Sequence, residues 1–189
     1  MKVGTDGVLL GAWASLRGPQ SRILDVGTGT GLIALMLAQR NQDVHVDALE
    51  IDPGSARQAS LNFLNSPWKD RLNCIQTSFQ EYAATVRESY DQIICNPPFF
   101  TASKKTPSKE KNLARHDDSL NLDDFFAGCM TLVKETTLIS LILPVDKEEQ
   151  VLDLIGRHQM HCHRITRVVP APGKPVKRIL LECSFPCLL

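Results

Sequence analysis

Residues 21–31 read Ser-Arg-Ile-Leu-Asp-Val-Gly-Thr-Gly-Thr-Gly, a short apolar run that ends in three closely spaced glycines. The run has the length of a buried strand, and the mainly apolar residues that follow predict a helix over 31–40. In parallel sheets, ligands bind beyond the carboxyl ends of the strands, which is where these glycines fall. Glycine permits positive φ and a close approach of the main chain to a ligand. The stretch therefore predicts a parallel α/β sheet with a ligand site at its edge.

Strands and helices alternate along the chain, so residues 1–189 are predicted to form a single α/β domain. Five strands are predicted in a parallel sheet with helices on both faces, followed by an antiparallel hairpin. The predicted strands are 21–26, 44–51, 72–77, 90–95 and 137–143, with hairpin strands at 162–170 and 176–185. The predicted helices are 7–16, 31–40, 52–65, 122–134 and 146–158, with caps at Asp52 and Asn121 and a capping box of Asp146 and Glu149.

Composition excludes several classes of protein. The chain has no apolar run long enough to span a membrane and no signal peptide at its start. Its six cysteines form no Cys-x-x-Cys pair, which predicts reduced thiols in a cytoplasmic protein. Net charge is zero, but bases cluster in a predicted loop at 100–118 and in the acid-free segment between Asp153 and Glu182. These clusters fit a surface that faces a polyanion, although a solvated face and a loop without a partner would look the same.

The glycine spacing is G-x-G-x-G, at Gly27, Gly29 and Gly31, rather than the G-x-G-x-x-G of dinucleotide sites. A dinucleotide places its pyrophosphate on the helix amino terminus, whereas S-adenosylmethionine has no phosphate. We therefore expect the amino-acid end of S-adenosylmethionine to lie on this turn, which includes Thr28, with the carboxylate of Asp25 suited to the ammonium group. A tight turn that only packs a helix on a strand is the alternative.

Two further strand ends supply candidates for the same cofactor. Glu50 closes the second strand, and an acid at that point can accept hydrogen bonds from both ribose hydroxyls. Ile51 follows it and is assigned to the same site. Ser78 and Phe79 come after the third strand, and we expect them to bond and cover the adenine ring.

The fourth strand ends in Asn96-Pro97-Pro98-Phe99. An amine on a purine or an amide is a poor nucleophile, because its lone pair is delocalised. The side-chain oxygen of Asn96 and the carbonyl of Pro97 can accept its two N–H groups and free that lone pair, and Pro98 restricts the residue before it. Phe99 offers a ring for stacking. The motif predicts methyl transfer to a planar amine without a strong general base; a strand-terminating Pro-Pro turn is the alternative.

Residues 25–31 and 96–99 resemble the cofactor and catalytic motifs of class I amino-methyltransferases. Residues 2–13 and the segment 114–116 resemble, more narrowly, the bacterial tRNA(Val) adenine-N6 methyltransferase family. The resemblance implies a Rossmann-like class I fold, S-adenosylmethionine as cofactor, and methylation of the exocyclic N6 of the tRNA adenine next to the anticodon. It implicates Thr5 and Asp6 in cofactor binding, and the loop supplies candidate tRNA contacts at Lys104, Lys105, Arg115 and His116.

Other readings stay open at this point. The same motif serves other planar amines, namely a guanine N2 in ribosomal RNA, a protein glutamine amide or an adenine in DNA, and a non-catalytic RNA-binding relative is a further alternative. The glycine spacing argues against a nicotinamide dehydrogenase. Relative to the family, chain is missing before residue 2 and after the hairpin, so a domain truncated at both ends is expected, and Phe99 stands where Tyr is common. No membrane partner is expected, a monomer is favoured, and no metal is predicted from His158, His161, Cys162 and His163.

Overall fold

The structure is a computed structural model, and it describes residues 4–97 and 120–185. In these ranges the strands are β1 Arg22–Val26, β2 His45–Glu50, β3 Leu72–Gln76, β4 Tyr90–Cys95, β5 Val133–Pro144, β6 His161–Val168 and β7 Arg178–Ser184. The helices are α1 Thr5–Trp13, α2 Leu32–Arg40, α3 Pro53–Leu64, α4 Phe79–Thr85, α5 Leu122–Cys129 and α6 Glu148–Arg157. Short 3-10 turns cover Lys69–Arg71 and Val145–Lys147.

The described strands form one sheet in the order β3-β2-β1-β4-β5-β7-β6. Strands β1 to β5 pair in parallel, and β7 lies antiparallel between β5 and β6. This confirms the predicted parallel sheet with a terminal antiparallel hairpin. The strand order reverses between β1 and β4, which is the switch point where open α/β sheets leave a crevice for ligands.

Helices cover both faces of the sheet, because neighbouring side chains of a strand point to opposite sides. In β1, Ile23 packs into a cluster with helices α1, α2 and α3, while Leu24 packs into a second cluster with α4, α5 and α6. Each fully buried large apolar side chain stabilises the fold by roughly 1.5–3 kcal/mol. Large buried side chains from the helices include Leu10, Leu37 and Phe63 on one face and Phe79, Phe125 and Leu154 on the other.

The predicted helix 122–134 is too long. Helix α5 ends at Cys129, and β5 begins at Val133 rather than at 137. The carbonyl of Leu132 accepts a hydrogen bond from the N–H of Tyr90 at 2.9 Å, which attaches the chain to the sheet before another helical turn can form. Val, Thr and Ile also favour the strand that follows.

Two of the predicted caps are confirmed and one is wrong. Asp52 accepts a hydrogen bond from the N–H of Ser55 at 2.7 Å, and Asn121 caps α5 in the same way. Helix α6 begins at Glu148 without a side-chain cap, so the capping box assigned to Asp146 and Glu149 does not exist. The N–H of Val145 is bonded to the carbonyl of Lys177 at 3.2 Å, which holds the residues after β5 in a 3-10 turn.

Helix α1 is anchored to the hairpin by a buried carboxylate. Glu182 of β7 is 3% exposed and accepts hydrogen bonds from the N–H and the hydroxyl of Ser15, at 2.7 and 2.9 Å. The guanidinium of Arg164 lies 3.7 Å from the centroid of the Trp13 ring and donates to the Trp13 carbonyl. These contacts hold α1 against the sheet.

In the described part of the chain, no helix has the length and apolar character that crossing a membrane requires. The cysteines there are free thiols, and burial raises the pKa of Cys95, Cys129 and Cys183. A raised pKa keeps a thiol protonated and unreactive.

Gly31 and Gly27 form a matched pair for testing the glycine turn. Both have positive φ, +84° and +72°, but a Cβ at Gly31 would lie 2.4 Å from the Phe63 ring, whereas one at Gly27 would meet no described atom within 4 Å. We expect Gly31→Ala to lower the free energy of unfolding by roughly 3 kcal/mol or more, from backbone strain plus overpacking. Gly27→Ala should cost about 1–2 kcal/mol from strain alone. Urea unfolding measures both, and equal losses would contradict the packing of Gly31 on Phe63.

Candidate active site

The carboxyl ends of β1, β2, β3 and β4 surround a cavity of about 480 Å³. Val26 at the end of β1 pairs with Leu49 of β2 on one side and Cys95 of β4 on the other. The next residue on each strand therefore lies at the same edge. Nine residues of the predicted site line the cavity: Gly27, Thr28, Gly29, Glu50, Ile51, Ser78, Phe79, Asn96 and Pro97.

Other predicted residues lie elsewhere. Asp25 and Gly31 do not line the cavity, and Thr5 is exposed on α1. Asp6 accepts a hydrogen bond from Nε of Arg178 at 2.8 Å, which ties the first turn of α1 to β7. Six predicted positions lie outside the described residues: Pro98, Phe99, Lys104, Lys105, Arg115 and His116.

The sequence reasoning missed several residues of the cavity wall. Gly4 and Gly7 of the α1 segment come from the stretch that carried the family resemblance, so the signal was present. Leu32 and Ile33 open α2 directly after the glycine turn. Thr77 and Gln80 follow β3, and Leu120 precedes α5. The remaining missed residues belong to the strand ends and the glycine turn: Val26, Thr30, Leu49 and Cys95.

The glycine turn exposes main chain to the cavity. The N–H of Thr28 donates to the carbonyl of Leu49 at 2.8 Å, and the N–H of Gly31 donates to the carbonyl of Thr28 at 3.0 Å. The turn is therefore tied to β2 and closed on itself. At Gly27 the space that a Cβ would fill is open. A ligand can approach the backbone there more closely than any side chain would permit.

The Glu50 carboxylate is fixed by two main-chain donors. Its Oε2 accepts from the N–H of Gly29 at 2.8 Å, and its Oε1 accepts from the N–H of Asp52 at 2.9 Å. Glu50 is only 8% exposed, so its position is well defined. Each carboxylate oxygen has a further lone-pair site. The group can therefore accept two more hydrogen bonds from a pair of adjacent hydroxyls, as a ribose offers.

Next to Glu50 the wall is apolar. Ile51 is 48% exposed although it is a large hydrophobic residue. Phe79 stacks on Phe125 with ring centroids 5.5 Å apart, which fixes the ring at the edge of the cavity. The hydroxyl of Ser78 accepts from the N–H of Glu81 at 3.2 Å and so serves as the cap of α4. An exposed aliphatic side chain beside a fixed ring suits a flat apolar group such as a purine.

Asn96 lies between the glycine turn and α1. A Cβ on Gly7 would stand 3.9 Å from Nδ2 of Asn96, so the amide packs beside the small residue in the first turn of α1. Pro97 is buried, and its ring fixes the main chain next to the amide. A rigidly mounted amide therefore borders the same cavity as Gly27 and Glu50.

Asp25 is fully buried in β1, behind the cavity wall. Its Oδ2 accepts a hydrogen bond from the hydroxyl of Thr28 at 2.6 Å. Burial raises the pKa of Asp25 to about 6, the Thr28 hydroxyl and the Ala34 N–H oppose this, and the charge of Glu50 adds to it. A carboxylate whose charge is this poorly compensated is typical of ligand sites.

The cavity fits a cationic nucleoside better than a dinucleotide. No Lys, Arg or His is among the described residues that line it, so no cationic side chain there offsets the charge of a pyrophosphate. Glu50 at the wall and Asp25 behind it instead favour positive charge. S-adenosylmethionine carries a ribose, a positive sulfur and no phosphate, and these residues fit it. Within residues 4–97 and 120–185, no group of three or more His, Cys, Asp or Glu side chains is placed to hold a metal ion.

Comparison with known proteins agrees with this geometry. The methyltransferase small domain family matches residues 7–124. A tRNA1(Val) (adenine(37)-N6)-methyltransferase of Flavobacterium psychrophilum is 45% identical over 97% of this chain and 79% of that protein. A protein of the same name from Parabacteroides distasonis is 47% identical over 97% of this chain and 77% of its own length.

A solved structure supports the fold. It is described as a predicted O-methyltransferase from Agrobacterium tumefaciens, and it superposes with a TM-score of 0.72 at 19% identity over 95% of this chain and 80% of that one. The predicted class I methyltransferase fold is thereby confirmed. The methyltransferase family matches more than half of the chain, and the two relatives are 45% and 47% identical to it over nearly its whole length. The chain therefore belongs to the bacterial tRNA1(Val) (adenine(37)-N6)-methyltransferase family.

Proposed function

We propose that the protein transfers the methyl group of S-adenosylmethionine to the exocyclic N6 of an adenine in tRNA, namely adenine 37 of tRNA1(Val), after which its relatives are named. One observation carries the proposal. Asn96, whose amide can bind an amine, borders the same cavity as Gly27 and Glu50, whose geometry suits the cofactor. The donor and the acceptor of a methyl group would therefore meet at neighbouring strand ends.

Each part of the cavity has a role in holding the cofactor. S-adenosylmethionine supplies, when bound, a methyl group on a positively charged sulfur. Glu50 accepts the ribose hydroxyls, Ile51 and Phe79 border the adenine ring, and the glycine turn takes the amino-acid end. Asp25 does not line the cavity, and it acts through its hydrogen bond with the Thr28 hydroxyl and through its charge. Thr5 and Asp6 contribute through α1, which the ion pair of Asp6 with Arg178 keeps in place.

Asn96 and Pro97 activate the substrate amine. The Asn96 Oδ1 and the Pro97 carbonyl accept hydrogen bonds from the two N6–H groups, which favours a pyramidal nitrogen with its lone pair free. S-adenosylmethionine would supply the methyl group to this nitrogen, its carbon–sulfur bond breaking towards sulfur, and the nitrogen would then lose a proton to water. Holding both reactants in line supplies much of the rate acceleration. Phe99, outside the described residues, is proposed to stack on the base.

An adenine reaches such a cavity only after it leaves the base stack, which costs least in a single-stranded loop. An anticodon loop meets that requirement. We place the reaction in the cytoplasm, in keeping with the free thiols of the described residues. The proposed tRNA contacts are Lys104, Lys105, Arg115 and His116, which lie outside the described residues.

Replacing Asn96 tests the catalytic assignment. We expect Asn96→Ala to lower kcat by roughly 10²–10³-fold, the effect of removing one preorganised polar group from a transition state. S-adenosylmethionine affinity should stay within about threefold, because other residues hold the cofactor. Mass spectrometry of nucleosides from unmodified tRNA1(Val), with calorimetric titration of the cofactor, measures both quantities.

Asn65→Ala is the matched control, because Asn65 is an exposed amide at the end of α3, away from the cavity. It should methylate like the unchanged protein. Full activity of Asn96→Ala would overturn the role of the amide, whereas methylation of another nucleoside would redirect the proposal to a different base.

Because folding raises the pKa of Asp25, we expect opposite pH dependences for the stability of the fold and for cofactor binding. Its pKa rises from 3.8 to about 6 on folding, so the folded state binds the proton more tightly than the unfolded chain. Asp25 therefore does not change the free energy of unfolding below pH 4, and it lowers that of the cofactor-free protein by about 3 kcal/mol above pH 6. A cation in the cavity favours the carboxylate, so S-adenosylmethionine should bind several-fold more tightly at about pH 7.5 than at about pH 5.

Calorimetric titration at the two pH values, with urea unfolding of the cofactor-free protein, checks both signs. In the Asp25→Asn variant, both pH dependences should flatten. The control is Asp70→Asn, which changes an exposed acid in a 3-10 turn and should leave both pH dependences as they are. If Asp25→Asn retained the full pH dependence of cofactor binding, another group would be responsible.

A further inference from the structure

The β6–β7 hairpin ends in a basic tip, which we define as residues 167–178. Its bases are Arg167, Lys174, Lys177 and Arg178, and the sequence has no acid between Asp153 and Glu182. The cofactor cavity has no cation among its described lining residues, so the positive charge of this part of the fold lies outside it. Of these bases, only Arg178 takes part in the site described above, through its ion pair with Asp6.

The tip lies at the same edge of the sheet as the cavity. Cys95 of β4 pairs with Leu141 of β5, so Asn96 is level with Ile142. Two residues further on, Pro144 pairs with Arg178 of β7. Two strand spacings and two residue rises give roughly 12 Å between the Cα atoms of Asn96 and Arg178. A nucleotide strand that enters the cavity therefore passes near the tip.

The tip is held in one conformation. The N–H of Lys174 donates to the carbonyl of Ala171 at 3.1 Å and closes a turn. The N–H of Lys177 donates to the carbonyl of Val168 at 3.0 Å, and the carbonyl of Lys177 accepts from Val145. Three prolines fix further φ angles, at 170, 172 and 175. A rigid backbone lowers the entropy that is lost when a partner binds.

The four bases divide into two pairs. Arg167 forms an ion pair with Glu148 of α6, and Arg178 forms one with Asp6 of α1 at 2.8 Å, so these arginines attach the tip to the domain. Lys174 and Lys177 are exposed, and neither forms an ion pair with a residue that the structure describes. These two lysines are therefore the bases of the tip that we expect to bind an outside anion.

We propose that the basic tip binds the phosphate backbone of tRNA beside the extruded adenine, through Lys174 and Lys177. The inference rests on the proposed function, which makes tRNA the substrate, and it assigns an RNA surface in addition to the one predicted from the sequence at 100–118. Lysine is a point charge without the bidentate geometry that reads a base. The tip therefore positions the RNA without selecting its sequence.

The test compares two double variants that remove the same charge. Lys174→Gln with Lys177→Gln neutralises the tip. The control variant, Lys69→Gln with Arg157→Gln, removes two exposed charges at the opposite edge of the sheet. Lys69 lies just before β3, and Arg157 is the last residue of α6. Fluorescence anisotropy with unmodified tRNA1(Val) gives Kd at several salt concentrations, and calorimetry gives the affinity for S-adenosylmethionine.

We expect the tip variant to bind tRNA about tenfold more weakly near 0.1 M salt, and the slope of log K against log salt to flatten by about 1.5–2. The control variant should stay within about twofold of the unchanged protein, and cofactor affinity should be equal in all three.

Three results would overturn the inference while leaving the proposed function intact: equal tRNA affinities in both variants, a loss without a change in salt slope, or a parallel loss of cofactor affinity that marks a structural role. If the unchanged protein neither bound nor methylated tRNA, the proposed function itself would fail.

Discussion

The site depends on the register of three parallel strands. Because Val26 pairs with both Leu49 and Cys95, the residues that follow them stand side by side at one edge. A slip of one residue would turn each side chain to the other face of the sheet. The hydrogen bonds continue past the strand ends, from Thr28 to the Leu49 carbonyl at 2.8 Å and from Thr77 to the Glu50 carbonyl at 3.1 Å. The ladder that folds the sheet thus also aligns the cavity.

Charge is divided between two regions of this neutral chain. Carboxylates lie at and behind the cavity, where a sulfonium cofactor would bring positive charge. Lysines lie on the rigid tip, where an RNA would bring negative charge. Helix α1 connects the two, since its first turn borders Asn96 while Asp6 holds Arg178 of the tip. Glu182 and Arg164 anchor the other end of that helix, so one structural unit connects the cavity, the Asn96 amide and the basic tip.

Local patterns predicted most of the fold. The run 21–31, the caps at Asp52 and Asn121 and the strand at 90–95 were recognisable because strands, caps and glycine turns have short-range signals. The errors came where long-range contacts decide. Helix α5 stops early because Leu132 is bonded to Tyr90, and the helix at 146 lacks its cap because Val145 is bonded to Lys177. Helix α4 was missed because seven residues are too few for a periodic pattern, although Ser78 and Glu81 form its capping box.

The site, too, could be predicted from the sequence only in part. Gly27 and Asn96 follow strands and Glu50 ends one, and all three line the cavity, as sequence position suggests. The burial of Asp25 behind Thr28 was not foreseeable, because it depends on how α2 packs over the turn. The bond from the Gly29 N–H to Glu50 was equally hidden, because it joins the ends of two strands that are distant in the sequence, whereas the bond from the Asp52 N–H is local.

A crystal structure of the protein with S-adenosylhomocysteine and an anticodon-loop oligonucleotide would show whether the cofactor and the adenine meet in the cavity at the strand ends. We expect this structure to show the amino-acid end of the cofactor on the glycine turn, its ribose on Glu50, and an adenine N6 within hydrogen-bond distance of the Asn96 amide oxygen. A cofactor bound away from Gly27, or an adenine held with its N6 turned from Asn96, would contradict it.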